Sequence, residues 1–93
     1  MDVNNYQQQV TKVKRYPKGI ESSLYLLAKL TEESGEVAKE MRKRIEGEVD
    51  LKDLKSELGD ILWCITAIAE ENNITLESIF QTNIEKLRER NLL

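Results

Sequence analysis

Apolar residues recur at helical spacing through most of the chain. Between residues 22 and 46 five of them fall on one heptad-like stripe, which is typical of one face of an amphipathic helix. This stripe consists of Leu24, Leu27, Ala38, Met41 and Ile45. The pattern predicts one long helix from about Ser22 to Glu46.

A second long helix is predicted from Asp50 to about Asn72. Gly47 is a suitable C-terminal stop for the first helix, and Asp50 is a suitable N-cap for the second. Because the connection is only a few residues long, the two helices should pack antiparallel as a hairpin.

Two shorter helices are predicted on either side of the hairpin. A weak pattern over residues 4–15 precedes the helix breakers Pro17 and Gly19. After the break "NNIT", Thr75 is a suitable N-cap for a last helix that runs to about Arg90. The predicted fold class is therefore all-α, an antiparallel helical hairpin with short flanking helices.

The long helices carry apolar residues on more than one face. Leu24 and Leu27 lie on one side, whereas Tyr25 and Leu26 point in other directions. One small hairpin cannot cover all of them. We therefore expect a four-helix-bundle-like core that oligomerisation completes.

Composition restricts the function classes. The 93 residues suit a single domain, residues 1–93, and a net charge of -3 gives no chain-wide basic field for binding a nucleic acid polymer. The chain has neither a signal-like N-terminus nor an apolar run of about 18 residues, so no membrane partner and a cytoplasmic location are expected.

Cys64 lies in an apolar run and is predicted to be a buried, inert thiol. The absence of histidine excludes imidazole-based catalysis and histidine zinc sites.

Two carboxylate pairs are candidates for chemistry. Glu33 with Glu36, and Glu57 with Asp60, are three residues apart and so share a helix face. With 17 acidic residues in the chain, a solvated acidic face is the alternative for either pair alone. Both pairs, however, border apolar faces, and the antiparallel hairpin brings them to comparable height. Four converging carboxylates would need a hard cation such as Mg²⁺ or Mn²⁺.

Each pair contains a helical glycine, Gly35 or Gly59, which costs roughly 0.5 to 1 kcal/mol relative to alanine. Two interpretations stay open at this point. Either a backbone or a ligand phosphate approaches closely, or the helices touch through small residues.

The motifs resemble a known family. "EESGE", followed after 20 residues by "ELGD", resembles the EExxE...ExxD signature of the MazG-like nucleoside triphosphate pyrophosphohydrolases, part of the all-α NTP pyrophosphatase superfamily. "ELGDILW" is similar to a typical second motif, and "NIEKLRER" resembles the family's Asn...Lys...Arg element. The resemblance covers roughly residues 20 to 90.

This resemblance implies Mg²⁺-dependent hydrolysis of a nucleoside or deoxynucleoside triphosphate to the monophosphate and pyrophosphate, in nucleotide-pool housecleaning. Mn²⁺ would be a substitute metal. The implied metal ligands are Glu33, Glu36, Glu57 and Asp60. The first glutamate of the motif, Glu32, would orient or deprotonate the attacking water beside Glu33. The implied assembly is a homo-oligomer, a dimer of dimers, with a dimer as the alternative.

The resemblance also implies substrate contacts. Asn83, Lys86 and Arg90 share one face of the last helix and would bind the triphosphate, although an ordinary basic helix end is the alternative. Trp63 is one turn after Asp60 and can stack on a base, but a lone tryptophan on an apolar helix is more often core or subunit interface.

Two further functions are kept as alternatives. One is a non-catalytic helical oligomerisation or regulatory module. The other is a superfamily relative that acts on dUTP or phosphoribosyl-ATP.

Overall fold

The computed structural model describes residues 1–13, 16, 20–48 and 50–93. Within these ranges the chain forms four α-helices and no strand. The helices are α1 (Val3–Thr11), α2 (Ile20–Ile45), α3 (Leu51–Glu71) and α4 (Leu76–Glu89). The predicted all-α fold is confirmed.

Short-range hydrogen bonds define the ends of the long helices. The Asp50 carboxylate accepts from the Lys52 N–H at 2.8 Å and caps α3. The Thr75 hydroxyl accepts from the Ser78 N–H at 3.1 Å and caps α4. Gly47 has φ +78°, a left-handed conformation that glycine adopts without a steric penalty, and it ends the turn after α2. All three predicted helix signals are confirmed.

The first helix is shorter than predicted. It begins at Val3 behind the N-cap Asp2 and ends at Thr11, whereas the sequence pattern extended it to residue 15. Its buried side chains are Gln7 and Val10. Lys12 and Val13 are exposed, so no packing holds another helical turn. Two elements of the prediction, the breakers Pro17 and Gly19, lie outside the described residues.

The two long helices form the predicted hairpin. The Ser22 hydroxyl, near the start of α2, lies 3.4 Å from a carboxylate oxygen of Glu71 at the end of α3, so the helices run antiparallel. Leu26, Cys64 and Ala67 are almost completely buried between the elements. Burial raises the pKa of the Cys64 thiol, in agreement with the predicted inert, buried cysteine.

A buried glutamine joins α1 to the connection between α3 and α4. Gln7 Nε2 donates to Glu70 Oε1 at 2.7 Å and to the Ile74 carbonyl at 2.9 Å. Gln7 Oε1 accepts from the Leu76 N–H at 2.7 Å, one of the free N–H groups in the first turn of α4. α1 therefore packs on α3 and α4 at the open end of the hairpin.

The chain exposes more surface than a compact monomer. Its accessible area is 7052 Å², against about 5,500 Å² for a folded monomer of this mass. Its radius of gyration is 15.3 Å, against roughly 12 Å for a compact domain of this length. Leu27 is 59 % and Ile45 is 89 % exposed on α2. The single chain thus leaves much of its apolar helix surface uncovered. Among the described residues, no helix is long and apolar enough to cross a lipid bilayer.

Candidate functional site

Three carboxylates from two helices meet in the middle of the hairpin. Ligand oxygens of Glu33 on α2 and of Glu57 and Asp60 on α3 lie within 4.8 Å of one another. Glu33 is only 8 % exposed, Glu57 is half-buried and Asp60 is exposed. We call these three side chains the carboxylate cluster.

The cluster carries uncompensated negative charge. Partial desolvation raises the pKa of Glu57, and the charges of Asp60, Glu36 and Glu33 raise it further. The nearest basic group in an ion pair with the cluster is Lys29, whose Nζ lies 3.2 Å from Glu33 Oε1. One ammonium cannot neutralise several carboxylates.

The donor set suits a hard divalent cation. All three groups offer carboxylate oxygens, which Mg²⁺ and Mn²⁺ prefer over nitrogen or sulfur. Opposite ligands of Mg²⁺ are about 4.2 Å apart, because each Mg–O bond is 2.0 to 2.1 Å long. An oxygen spread within 4.8 Å therefore requires only small side-chain movements to bind such an ion.

The other two predicted acids lie at the edge of this cluster. Glu36 is exposed and does not belong to the group of three described carboxylates, but its charge acts on the pKa of Glu57. Glu32 is exposed on the adjacent position of α2.

A further acid of α2, Glu40, is buried but was not predicted as a site residue from the sequence. It is 5 % exposed, and its Oε2 has no hydrogen-bond partner within the described part of the chain. Its Oε1 lies 3.4 Å from Lys43 Nζ. Glu40 follows Glu33 by seven residues and therefore shares its helix face, which is the signal that would have identified it.

A pocket of about 410 Å³ opens beside the carboxylate cluster. Its lining residues are Val13, Tyr25, Lys29, Glu33, Asp60 and Trp63. Tyr16 contacts two of the aromatic rings: it stacks on Tyr25 at 6.4 Å between centroids and meets Trp63 edge to face at 6.1 Å. The pocket therefore has an aromatic wall and a carboxylate wall.

Trp63 is half-buried in the aromatic wall. Both interpretations of this residue, base stacking and packing, are compatible with that position. Tyr25 and Lys29 were not predicted as site residues, although they precede Glu33 by eight and four residues and so share its face.

The predicted triphosphate contacts lie elsewhere. Asn83 and Lys86 line a separate pocket of about 330 Å³ on α4, and Arg90 is the exposed C-cap residue of that helix. α4 packs against α1. Within one chain, the structure does not bring these three side chains into the pocket beside the carboxylate cluster.

The two helical glycines have open space beside them. A Cβ added to Gly35 or Gly59 would meet no heavy atom within 4 Å in the described part of the chain. Contact between small residues in the described part of the chain therefore does not explain them. The alternative, a close approach by a ligand or another molecule, is left open.

A protein-family model described as the MazG nucleotide pyrophosphohydrolase domain matches residues 21–92. This range contains α3, α4 and all of α2 except its first residue, and hence the carboxylate cluster. It leaves α1 outside the match.

Similar proteins and a similar structure extend the likeness over nearly the whole chain. A crystal structure of the Bacillus-conserved MazG protein, a nucleotide pyrophosphohydrolase, is 31 % identical with a TM-score of 0.74, over 94 % of this chain and 89 % of the other. The Gene 37 protein of Mycobacterium phage L5 is 29 % identical over 97 % of this chain and 89 % of its own length. Protein YpjD of Bacillus subtilis (strain 168) is 31 % identical over 82 % of this chain and 73 % of its own length.

Proposed function

Because the chain belongs to the MazG nucleotide pyrophosphohydrolase family, we propose that it hydrolyses nucleoside or deoxynucleoside triphosphates between the α- and β-phosphates. The products are the nucleoside monophosphate and pyrophosphate. The single observation that carries this proposal is the carboxylate cluster, in which Glu33, Glu57 and Asp60 meet from two helices beside a pocket.

Mg²⁺ is the proposed cofactor, with Mn²⁺ as a substitute. Glu33, Glu57 and Asp60 would hold it, and Glu36 would join them by a side-chain rotation from its exposed position beside the cluster. When bound, such an ion lowers the pKa of water and neutralises phosphate charge. Partial desolvation and the neighbouring charges of Asp60, Glu36 and Glu33 raise the pKa of Glu57, and this concentration of negative charge supports the proposal.

The chain's own acids are proposed to direct the attacking water. Glu33 is nearly buried, and its carboxylate accepts from Lys29 at 3.2 Å. Glu32, on the next position and exposed, is the candidate to orient the water or to accept its proton. A carboxylate base is compatible with a chain that contains no histidine.

The aromatic wall is proposed to bind the nucleobase. Trp63 and Tyr25 line the pocket that also contains Glu33 and Asp60. Aromatic rings stack on the faces of all nucleobases, so this wall would bind a base without selecting one.

A homo-oligomer is proposed to complete the site. Asn83, Lys86 and Arg90 would contact the triphosphate, and α4 of a second copy can supply them where α4 of the same chain does not. The accessible area exceeds that of a compact monomer by about 1,500 Å². Obligate homodimers bury roughly 1,000 to 2,500 Å² per subunit, and the excess area of this chain falls within that range. We propose a dimer of dimers, with a dimer as the alternative.

The proposed role is housecleaning of the nucleotide pool in the cytoplasm. The absence of a membrane-crossing helix in the described residues is compatible with this role. The net charge of -3 does not favour a nucleic acid polymer as the partner.

A substrate panel tests the function. Pyrophosphate release is measured with Mg²⁺ or Mn²⁺ on canonical, deoxy and oxidised nucleotides, dUTP and phosphoribosyl-ATP. The wild type is compared with Glu36→Gln and Asp60→Asn, and Glu48→Gln, which removes an exposed acid from the turn after α2, is the matched control. We expect release that requires metal, is lost in both site variants and persists in the control. The absence of release from every nucleotide would contradict the proposal, and the panel also separates dUTP and phosphoribosyl-ATP from a broader substrate range.

A further inference from the structure

Glu40 is a buried acid with one carboxylate oxygen that the described residues leave without a partner. Only 5 % of the residue is exposed, and its Oε1 lies 3.4 Å from Lys43 Nζ. Its Oε2 has no hydrogen-bond partner within the described ranges. A buried carboxylate oxygen without a hydrogen bond is costly, so we expect Oε2 to bind a group from outside the chain.

The geometry of the hairpin places Glu40 next to the carboxylate cluster. Glu33 and Asp60 meet across the antiparallel helices. Glu40 follows Glu33 by seven positions on the same face of α2, and Glu57 precedes Asp60 by three on α3. Both steps lead towards the turn between the helices, so Glu40 lies about 6 Å beyond Glu57 along the helix axis.

Two further observations direct the Glu40 side chain towards the cluster. Side chains on a helix tilt towards its N-terminus, and Glu33 lies N-terminal to Glu40 on α2. The charge of Glu40 also contributes to the raised pKa of Glu57, so the two carboxylates interact. The free oxygen of Glu40 therefore lies beside the acids that are proposed to hold a cation.

A water molecule can span the gap between Glu40 and the cation. Glu40 is not one of the three carboxylates whose oxygens lie within 4.8 Å of one another. Three monodentate carboxylates occupy half of an octahedral coordination sphere, and Mg²⁺ usually keeps water in several of the other positions. Such a water donates to a carboxylate oxygen about 2.5 to 2.7 Å away.

We propose that Glu40 is a positioning residue whose Oε2 accepts a hydrogen bond from a water ligand of the divalent cation at the carboxylate cluster. This inference rests on the proposed function, since it assumes a cation held by Glu33, Glu57 and Asp60. It adds an acid outside the ligand set that fixes the hydration of the ion. Such residues typically contribute about 10- to 100-fold to metal affinity.

Mn²⁺ binding to two variants of Glu40 tests the proposal, with the electron paramagnetic resonance signal of the free ion as the measurement. Glu40→Gln and Glu40→Asp should each bind Mn²⁺ about tenfold or more weakly than the wild type. The glutamine is uncharged and is a weaker acceptor for the water ligand. The aspartate keeps the charge, but its side chain is one methylene shorter and no longer reaches the water.

A matched control and a stability measurement complete the experiment. Glu46 also pairs with a basic residue of α2, Arg42, at 2.6 Å, but it is exposed. Glu46→Gln should therefore retain Mn²⁺ affinity within about twofold, because salt screens a distant surface charge. In EDTA, Glu40→Gln should unfold at a urea midpoint no lower than that of the wild type, because a buried, incompletely bonded charge is gone.

The outcomes separate this inference from its alternatives. Unchanged Mn²⁺ affinity in Glu40→Gln would overturn the proposal, and a lower urea midpoint in EDTA would then assign Glu40 to the fold through its pair with Lys43. Wild-type affinity in Glu40→Asp would also overturn it, because the charge alone would then act at a distance.

The same experiment distinguishes this inference from the proposed function. If the wild type does not bind Mn²⁺, the proposed metal site and the role of Glu40 fail together. If Mn²⁺ binding follows the expected pattern but no nucleotide releases pyrophosphate, the proposed reaction fails and the role of Glu40 is supported.

Discussion

Two polar regions of this small protein differ in how far the described part of the chain satisfies their polar groups. At the open end of the hairpin, Gln7 uses both its oxygen and its nitrogen in hydrogen bonds of 2.7 to 2.9 Å. In the middle of the hairpin, Glu33, Glu57 and Asp60 bring like charges within 4.8 Å.

The difference separates architecture from function. A polar group whose partners all lie in the same chain stabilises the fold, as Gln7 does at the α1–α4 contact. Carboxylates that repel one another instead destabilise it, unless something outside the chain binds them. Glu40, with a buried oxygen that has no partner among the described residues, is of the second kind. The carboxylate cluster is therefore better explained by a ligand than by folding.

The largest expected effect is on activity. Glu57→Gln should lower kcat for pyrophosphate release about 100-fold or more, because it removes a negative charge from the proposed metal ligands. In EDTA the same variant should be as stable as the wild type or more stable, because a repulsive charge is gone. Enzyme assays and urea unfolding in EDTA measure the two quantities. A Glu57→Gln variant that retains full activity would contradict the assignment of the carboxylate cluster to function rather than to folding.

The next effect is on stability. Gln7→Ala should lower the free energy of unfolding by about 2 to 3 kcal/mol, because it leaves the Leu76 N–H and the Ile74 carbonyl without their partner. Gln8→Ala, at the exposed neighbouring position, is the matched control and should change stability by less than about 0.5 kcal/mol. Urea unfolding at pH 7 gives both values, and equal losses in the two variants would contradict a special role for Gln7.

A smaller effect concerns pH in the absence of metal. The pKa of Glu57 is raised above its ordinary value of 4.5 in the folded protein, so the folded state holds this proton more tightly than the unfolded state. The stability contributed by Glu57 is therefore present below pH 4.5 and is lost as pH rises through the raised pKa. Unfolding curves in EDTA between pH 4 and pH 7 should show this loss in the wild type and a smaller one in Glu57→Gln. The same slope in both proteins would assign the pH dependence to other groups.

The smallest effect is expected at the helical glycines. Gly35→Ala and Gly59→Ala should each stabilise the protein by about 0.5 to 1 kcal/mol, because alanine favours the helix and no described residue of the chain occupies the space beside each glycine. Stabilisation with a loss of activity would indicate that a ligand or a second copy uses this space. A destabilised protein would indicate contact with another copy in the assembly itself.

Local signals account for the parts of the fold that the sequence predicted well. Asp50 and Thr75 bond to N–H groups two and three residues away, and the conformation of Gly47 depends only on its own backbone. Such interactions are visible in a short stretch of sequence. The end of α1 was placed too late because the length of this helix depends on tertiary burial, and Lys12 and Val13 are exposed.

Long-range geometry limits what could be predicted of the site. The hairpin connection is short, so the approach of Glu33 to Glu57 and Asp60 follows from helix length and spacing. No sequence pattern indicated the role of Gln7, because its hydrogen-bond partners are 63 to 69 residues away along the chain. The position of Lys86 depends on how α4 packs against α1, and no pattern within α4 determines that.

The measurement that tests the central claim most directly is the stability of the wild type and of Glu57→Gln at pH 7, in EDTA and in saturating Mg²⁺ at equal ionic strength. If the carboxylate cluster needs a cation to neutralise its charge, the order of stability of the two proteins should reverse between EDTA and Mg²⁺. Glu57→Gln should be the equal or more stable protein in EDTA, and the wild type should be the more stable one in Mg²⁺, with a gain of about 2.7 kcal/mol at 100 times the Kd. An unchanged ranking, with no gain for the wild type in Mg²⁺, would contradict the claim that this cluster is a metal site.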